Sequence, residues 1–369
     1  MRIVHVTKYF SGNGGIESYT RSISKAALAA GHDVHVICAA KIKKYSEHVE
    51  NGVKVVRLPK ISTIMNAPLT RPVGPVLERL RPDVIHLHMP NPWAEVNVFL
   101  YKLSHPKTRL IATYHSDVIA YNPLMRFLST LRLAYLVPSM GIFCDKIIST
   151  SGNYVSGSAA LRMLRKKTVI IPLGVDVKTF SPAKTKNKNF TFLFVGRLIP
   201  YKGLENLIKA CGIVKGSGKK FILNIVGDGK LYQSLRKSAS DRGVKDRVKF
   251  LRSVSDSRLP SIYRKCDVFI LPSVYKSEAF GLAQLEAMSS GKPVISTNIK
   301  GSGVPFVNKN GYTGIVVKPR DEISLANAMM LLMDDKKLRL TMGLNARKRA
   351  VNFFNEKMIS RKVLETYIR

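Results

Sequence analysis

The sequence predicts an α/β protein made of two doubly wound domains. Three observations carry that reading. The chain has 369 residues, room for about two domains. Short apolar runs that end in polar or Gly-rich turns and lead into helical stretches set up a strand–helix rhythm, which restarts in the second half, as open parallel sheets require. Between the halves lies Ser181-Pro182-Ala183-Lys184-Thr185-Lys186-Asn187-Lys188-Asn189, polar, basic and Pro-containing, which reads as a linker. The expected domains are 1–176 and 177–352, and two such domains facing each other would enclose a ligand cleft.

The elements follow in order. Residues 2–7 read as a strand, the turn Ser11-Gly12-Asn13-Gly14-Gly15-Ile16-Glu17 lies at its carboxyl end, and a helix over 18–30 with a strand over 33–39 completes a βαβ unit. Apolar runs at 53–58, 84–88, 110–114, 146–149 and 168–172 continue this sheet. Runs at 190–195, 221–226, 248–251, 268–271, 293–297 and 314–317 build the second. Continuous rather than alternating apolarity is the mark of strands covered on both faces. Beyond Asp334 the chain is helical and basic. Leu124, Phe127, Leu128, Leu131 and Tyr135 share one helical face. The uncharged run from Leu133 to Cys144 is shorter than the roughly 20 residues of a membrane span. Two readings of this segment stand, a core helix or an interfacial helix resting on anionic lipid.

The formal net charge is +36, with an excess of Lys and Arg in both halves. Such a field attracts nucleic acid, anionic lipid or phosphorylated substrates. Zinc-finger spacing and an RNP-type aromatic motif are both absent from the sequence, so no specific nucleic-acid partner is expected. Cys38, Cys144, Cys211 and Cys266 are scattered and form no CxxC pair. With a first strand that opens the chain and no leader in view, a reducing, cytoplasmic setting is expected.

Candidate binding groups collect where predicted strands end. Glu278 and Glu286 stand eight positions apart around a mainly apolar run. If that run is helical throughout, they lie about 12 Å apart, too far to share one proton and suited to the two ends of an elongated ligand. Between them Phe280-Gly281-Leu282 offers backbone amides at a helix N-terminus, an anion site. Gly196-Arg197 and Lys202-Gly203 follow the first strand of the second half, and His115 sits at the exit of the strand over 110–114. Gly14 and Gly15 allow close backbone approach to a ligand, although the series is not a GxGxxG dinucleotide fingerprint.

With these residues in this order, the chain resembles a family 4 retaining glycosyltransferase of the GT-B fold, that is, two Rossmann-like domains. The resemblance rests on Gly14-Gly15-Ile16-Glu17, Pro172-Leu173-Gly174-Val175-Asp176, Val226-Gly227-Asp228-Gly229, Glu278 and Glu286, and Ala287-Met288 followed by Gly291 and Pro293-Val294. It covers nearly the whole chain. It implies an acceptor-binding first domain, to which a terminal helix, 353–369, returns, and a nucleotide-sugar-binding second domain. Glu286 would hold the ribose and Glu278 the donor sugar, with Phe280, Gly281 and Leu282 near sugar and phosphate. Arg197 and Lys202 would bind the diphosphate beside Gly196, and Val254 would meet the base. His115 would line the sugar pocket, and Gly14 and Gly15 would approach phosphate or acceptor. No Asp-x-Asp occurs, so no metal and no other cofactor are expected. The turn from Asn298 to Asn310 resembles mannosyltransferase-like members. The expected acceptor is a lipid-linked saccharide of surface polysaccharide such as O-antigen, met at the inner face of the cytoplasmic membrane. A UDP-sugar transferase, a sugar-nucleotide epimerase, a phosphorylase and a nucleic-acid-binding protein are the rival readings.

Overall fold

The computed structural model describes residues 1–12, 14–40, 44–64, 67–118, 123–183 and 189–368. Two compact units result, one comprising Met1–Pro172 with Lys357–Arg369 and the other Leu173–Glu356.

In the first unit the strands are β1 (Arg2–Val6), β2 (Asp33–Ala39), β3 (Ser46–Glu50), β4 (Val53–Leu58), β5 (Lys60–Ile64), β6 (Ala67–Thr70), β7 (Val84–Met89), β8 (Arg109–Tyr114), β9 (Lys146–Ser149) and β10 (Thr168–Ile170). Eight of them form one sheet in the order β10-β9-β8-β7-β1-β2-β4-β3, while β5 and β6 pair separately. The sheet is parallel except where β3 adds antiparallel to β4. β7 is buried at every position, as a central strand covered by helices on both faces must be. β3 has no such cover. It is a short, largely exposed edge strand carrying Glu47 and Glu50, charges that discourage further strand addition. For the same reason it lacks the apolar run by which its neighbours are legible.

In the second unit the strands are β11 (Phe190–Val195), β12 (Phe221–Val226), β13 (Val248–Arg252), β14 (Val268–Leu271), β15 (Val294–Thr297) and β16 (Gly314–Val317). They make one parallel sheet in the order β13-β12-β11-β14-β15-β16. Phe192, Phe194, Leu223 and Ile225 from its centre are fully buried against Leu207 and Met329 of the covering helices.

The units divide four residues away from each expected boundary, and backbone pairing supplies the reason. Val175 N donates to Phe354 O at 2.8 Å and Glu356 N donates to Val175 O at 3.0 Å, so both crossing segments belong to the second unit. Arg347 fastens them there, donating to Val177 O at 2.9 Å and Ser289 O at 2.7 Å. The terminal segment is not one helix over 353–369: Lys336–Phe353 ends where that helix was expected to begin, and a separate helix, Glu356–Glu365, follows. Its continuation belongs to the first unit, where Arg109 Nε donates to Thr366 O at 3.0 Å.

The helix Pro123–Phe143 turns its core face the other way from one of the two sequence readings. Arg132, Leu136 and Met140 are buried, whereas Phe127, Leu128, Leu131 and Tyr135 are exposed. Arg132 sits inside because Glu95, with no exposed surface, accepts two hydrogen bonds from its Nη2 at 2.8 and 2.9 Å. A buried charge needs such a partner, and that pair fixes which side of the helix faces in. Leu124 lies among the residues whose side chains are not described.

Candidate active site

Within the second unit the candidate residues assemble at the carboxyl ends of β11, β14 and β15. After β11, Pro200–Lys202 forms a 3-10 turn closed by Gly203, which has φ +69°. A Cβ there would collide with the Pro272 carbonyl, so the left-handed glycine lets the turn lie directly on the chain leaving β14. That contact brings Lys202 to Glu278. Lys202 Nζ and Glu278 Oε2 are 2.6 Å apart, with only 12% and 8% of the two side chains exposed. Ser273 Oγ donates to the same carboxylate oxygen at 2.8 Å, and Ser302 Oγ donates to the Glu278 carbonyl from beyond β15. Burial works against the Lys202 charge, but the Glu278 carboxylate more than offsets it and holds the ammonium above the ordinary lysine range.

The glutamate spacing needs correction. The helix begins at Leu282, within the expected Phe280-Gly281-Leu282 N-terminus, with Gly281 as its left-handed N-cap at φ +78°. A Cβ on Gly281 would lie 2.6 Å from Leu271 Cδ2. Glu278 therefore sits in the preceding loop, and the rise of eight helical residues does not give its distance from Glu286. Phe280 is buried against Phe306 and Phe354, so only its backbone can meet a ligand. Glu286 is half-buried on the helix and accepts a hydrogen bond from Tyr263 Oη at 2.6 Å. Burial raises its carboxyl to about 7, against the opposing effect of Tyr263. Arg197 is exposed, its Nη2 3.4 Å from the Tyr201 hydroxyl, and Val254 is half-buried just past β13. Gly196 directly follows β11 and pairs its N–H with Val226 O at 3.0 Å.

The other candidates lie in the first unit. Gly14 caps the helix Gly15–Ala29, and Arg21 holds the loop before it through Phe10 O and Gly12 O, at 3.1 and 2.8 Å. His115 follows β8, with its backbone N–H on Met89 O at 3.0 Å. It is not alone. His5 of β1 is in register with His86 of β7, and His86 and His88, two apart on one strand, share a sheet face. His5 Nδ1 lies 3.1 Å from His88 Nε2, and His88 Nδ1 lies 3.2 Å from His115 Nε2. Tyr19 packs edge-on to His115 at 5.2 Å. His5, His86, His88, Tyr263 and Ser273 are not among the residues expected from the sequence. The repeat His86-x-His88 on a buried strand was the one available signal.

Nitrogens of His5, His86 and His88 lie within 4.8 Å of one another, a spacing that invites a metal. Ring geometry opposes it. His86 and His88 are stacked, 4.4 Å between centroids and 18° from parallel. An ion bound at about 2.0–2.1 Å must lie in both ring planes, which stacked rings do not share. Both nitrogens of His86 already pair with hydroxyls, at 2.6 Å each.

Two family models match, glycosyl transferases group 1 over residues 176–349 and glycosyltransferase family 4 over residues 13–179. The D-rhamnosyltransferase WbpZ of Pseudomonas aeruginosa is 30% identical, over 96% of this chain and 92% of its own length. This chain belongs to the family 4 glycosyltransferases. The O-antigen chain mannosyltransferase C of Escherichia coli is 29% identical over 100% of this chain and 97% of its own. Among solved structures, sucrose-phosphate synthase from Thermosynechococcus elongatus superposes with a TM-score of 0.82 at 23% identity, covering 100% of this chain and 98% of that one. The fold of this glycosyltransferase is therefore GT-B. Its two Rossmann-like sheets carry the candidate residues at their carboxyl strand ends, the position at which open α/β sheets bind ligands.

The Lys202–Glu278 pair makes a stability prediction. Lys202→Met alone leaves a buried carboxylate unpaired and should cost about 3–5 kcal/mol. Adding Glu278→Gln should recover most of that loss, because the unpaired charge is gone. Urea unfolding of the single and double variants measures both.

Proposed function

We propose that this glycosyltransferase moves a mannosyl unit, with retention and without a metal, from GDP-mannose to a lipid-linked saccharide in O-antigen or related polysaccharide assembly. The observation that carries the reading is the Lys202–Glu278–Ser273 cluster beside the N-terminus of the helix Leu282–Ser289. It sets a cation, a hydrogen-bond-accepting carboxylate and helix-end amides together. Similarity along the whole chain to an O-antigen mannosyltransferase and a rhamnosyltransferase supports the sugar and the setting.

In this reading the bond between the sugar's anomeric carbon and the diphosphate oxygen breaks. A bond from the acceptor hydroxyl forms on the same face, and that hydroxyl's proton passes to the departing diphosphate. Glu278 accepts hydrogen bonds from sugar hydroxyls and is not the nucleophile of a double displacement. Arg197 and Lys202 take up the charge developing on the diphosphate, together with the amides of Gly281 and Leu282. Removing one such preorganised donor typically costs about 2.7–4 kcal/mol of barrier. Glu286 accepts from the ribose hydroxyls, and the backbone at Val254 faces the base.

The acceptor side rests on surface chemistry. Among the described residues no helix is long and apolar enough to cross a membrane. The helix Pro123–Phe143 nevertheless exposes Phe127 and Leu131 at 61% and 51%, and the neighbouring helix Pro92–Ser104 exposes Leu100 and Leu103. Arg162, Arg165 and Lys166 lie exposed close by in sequence, beside an equally exposed Met163. Apolar side chains with basic neighbours on a chain of net charge +36 suit an anionic lipid surface at the inner face of the cytoplasmic membrane.

Two experiments test this. A donor-hydrolysis screen across GDP-, UDP- and ADP-sugars should give the highest rate with GDP-mannose; a faster UDP-sugar would replace the donor, and conversion of the sugar nucleotide itself would indicate an epimerase. Sedimentation with anionic vesicles should capture the enzyme at low salt and release Phe127→Ser/Leu131→Ser. Equal binding of that variant, or no binding by the wild type, would remove the membrane reading.

A further inference from the structure

Three of the buried histidines of the first unit form a chain. His5, His88 and His115 are joined end to end by the two hydrogen bonds of 3.1 and 3.2 Å. His5 and His88 are at most 1% exposed and His115 is 7% exposed. Burial holds His5 and His115 at about 3 and His88 well below the ordinary imidazole range, so each ring is neutral near pH 7 and carries one proton.

Three neutral rings in series admit two arrangements. Either every ring is protonated on Nδ1, or every ring is protonated on Nε2. The far end decides between them. His5 Nε2 is buried and, among the described residues, has no hydrogen-bond partner. Protonation there would strand an N–H in the core, whereas an unprotonated nitrogen strands only a lone pair, the more tolerated of the two. The chain therefore runs His5 Nδ1–H to His88 Nε2, then His88 Nδ1–H to His115 Nε2. A second set of bonds keeps the neighbouring ring out of it: His86 is held between Tyr367 Oη and Thr113 Oγ1 at 2.6 Å each.

We propose that His88, backed by His5, is a positioning residue that fixes His115 as the Nδ1–H tautomer, so that His115 offers the substrate an N–H donor and not a base. This deepens the glycosyltransferase reading, on which it rests. A donor can bind a sugar hydroxyl oxygen or developing negative charge. It cannot remove the acceptor's proton, which leaves that proton to the diphosphate. The second nitrogen of a working imidazole is set by the bond the first one makes, and His88 makes that bond here.

The test uses the full chain labelled with 15N-histidine, read by long-range 1H–15N NMR without substrate, with His115→Gln to assign the signal. His115 should carry its proton on Nδ1. His88→Phe keeps a planar ring but neither hydrogen bond. It should release His115 toward the Nε2–H form and lower kcat on the order of 10-fold or more, by analogy with the about 10–100-fold lost when a metal-bound imidazole loses its orienting partner. His88→Gln can still accept from His5 and donate to His115, and should recover most of that rate and the Nδ1–H signal. The proposal is overturned if wild-type His115 is protonated on Nε2. It is equally overturned if His88→Phe keeps the wild-type rate, or if both variants lose the same activity with the His115 tautomer unchanged. The wild-type spectrum stands on its own if His88→Phe does not fold. Because it is recorded on the free chain, a wrong tautomer and an absence of transfer are separate failures.

Discussion

The buried pair between Lys202 and Glu278 is the constraint on which the second unit's site is built. A carboxylate and an ammonium that are both about nine-tenths buried are tolerable only because each neutralises the other and Ser273 fills a further hydrogen bond. Meeting that demand fixes the backbone around it. Gly203 must take a left-handed turn against Pro272, and Ser302 must reach back to the Glu278 carbonyl. The pair has a functional corollary in the proposed reaction. The group meant for the diphosphate and the group meant for the sugar are bonded to each other before any ligand arrives, so the two ends of the donor are coupled through one contact.

The first unit has a buried ion pair of its own, Arg132 with Glu95, but it orients a helix. The candidate site there is made mainly of imidazoles and phenols whose burial suppresses charge. Orientation is its main physical content: which nitrogen bears a proton, and which face a ring presents. The division suits the proposed chemistry, in which charge develops on the diphosphate while the sugar and acceptor offer only hydroxyls. A cationic pocket belongs with the first and directed hydrogen bonds with the second.

Much of this was legible in the sequence, and the exceptions have physical reasons. Parallel strands buried on both faces announce themselves as apolar runs, which is why β7 and β14 could be read directly. β3 could not, being an exposed charged edge. Glu278 was readable as a candidate, but its geometry was not. The helix N-terminus at Phe280-Gly281-Leu282 could be read, but not the loop path that brings Glu278 onto Lys202, which depends on the Gly203 turn lying against Pro272. Arg132 turning inward was also hidden, because its partner Glu95 is remote in sequence. The histidine chain depends on the register of three strands, which no local pattern records.

The claim that the pair links the two ends of the donor is tested most directly by calorimetry with nucleoside diphosphate and with intact nucleotide sugar. On this account Glu286→Gln weakens both ligands. Glu278→Gln weakens only the nucleotide sugar, and the free diphosphate binds as in the wild type or more tightly, since Lys202 is released. A Glu278→Gln enzyme that loses diphosphate affinity as severely as nucleotide-sugar affinity would contradict it.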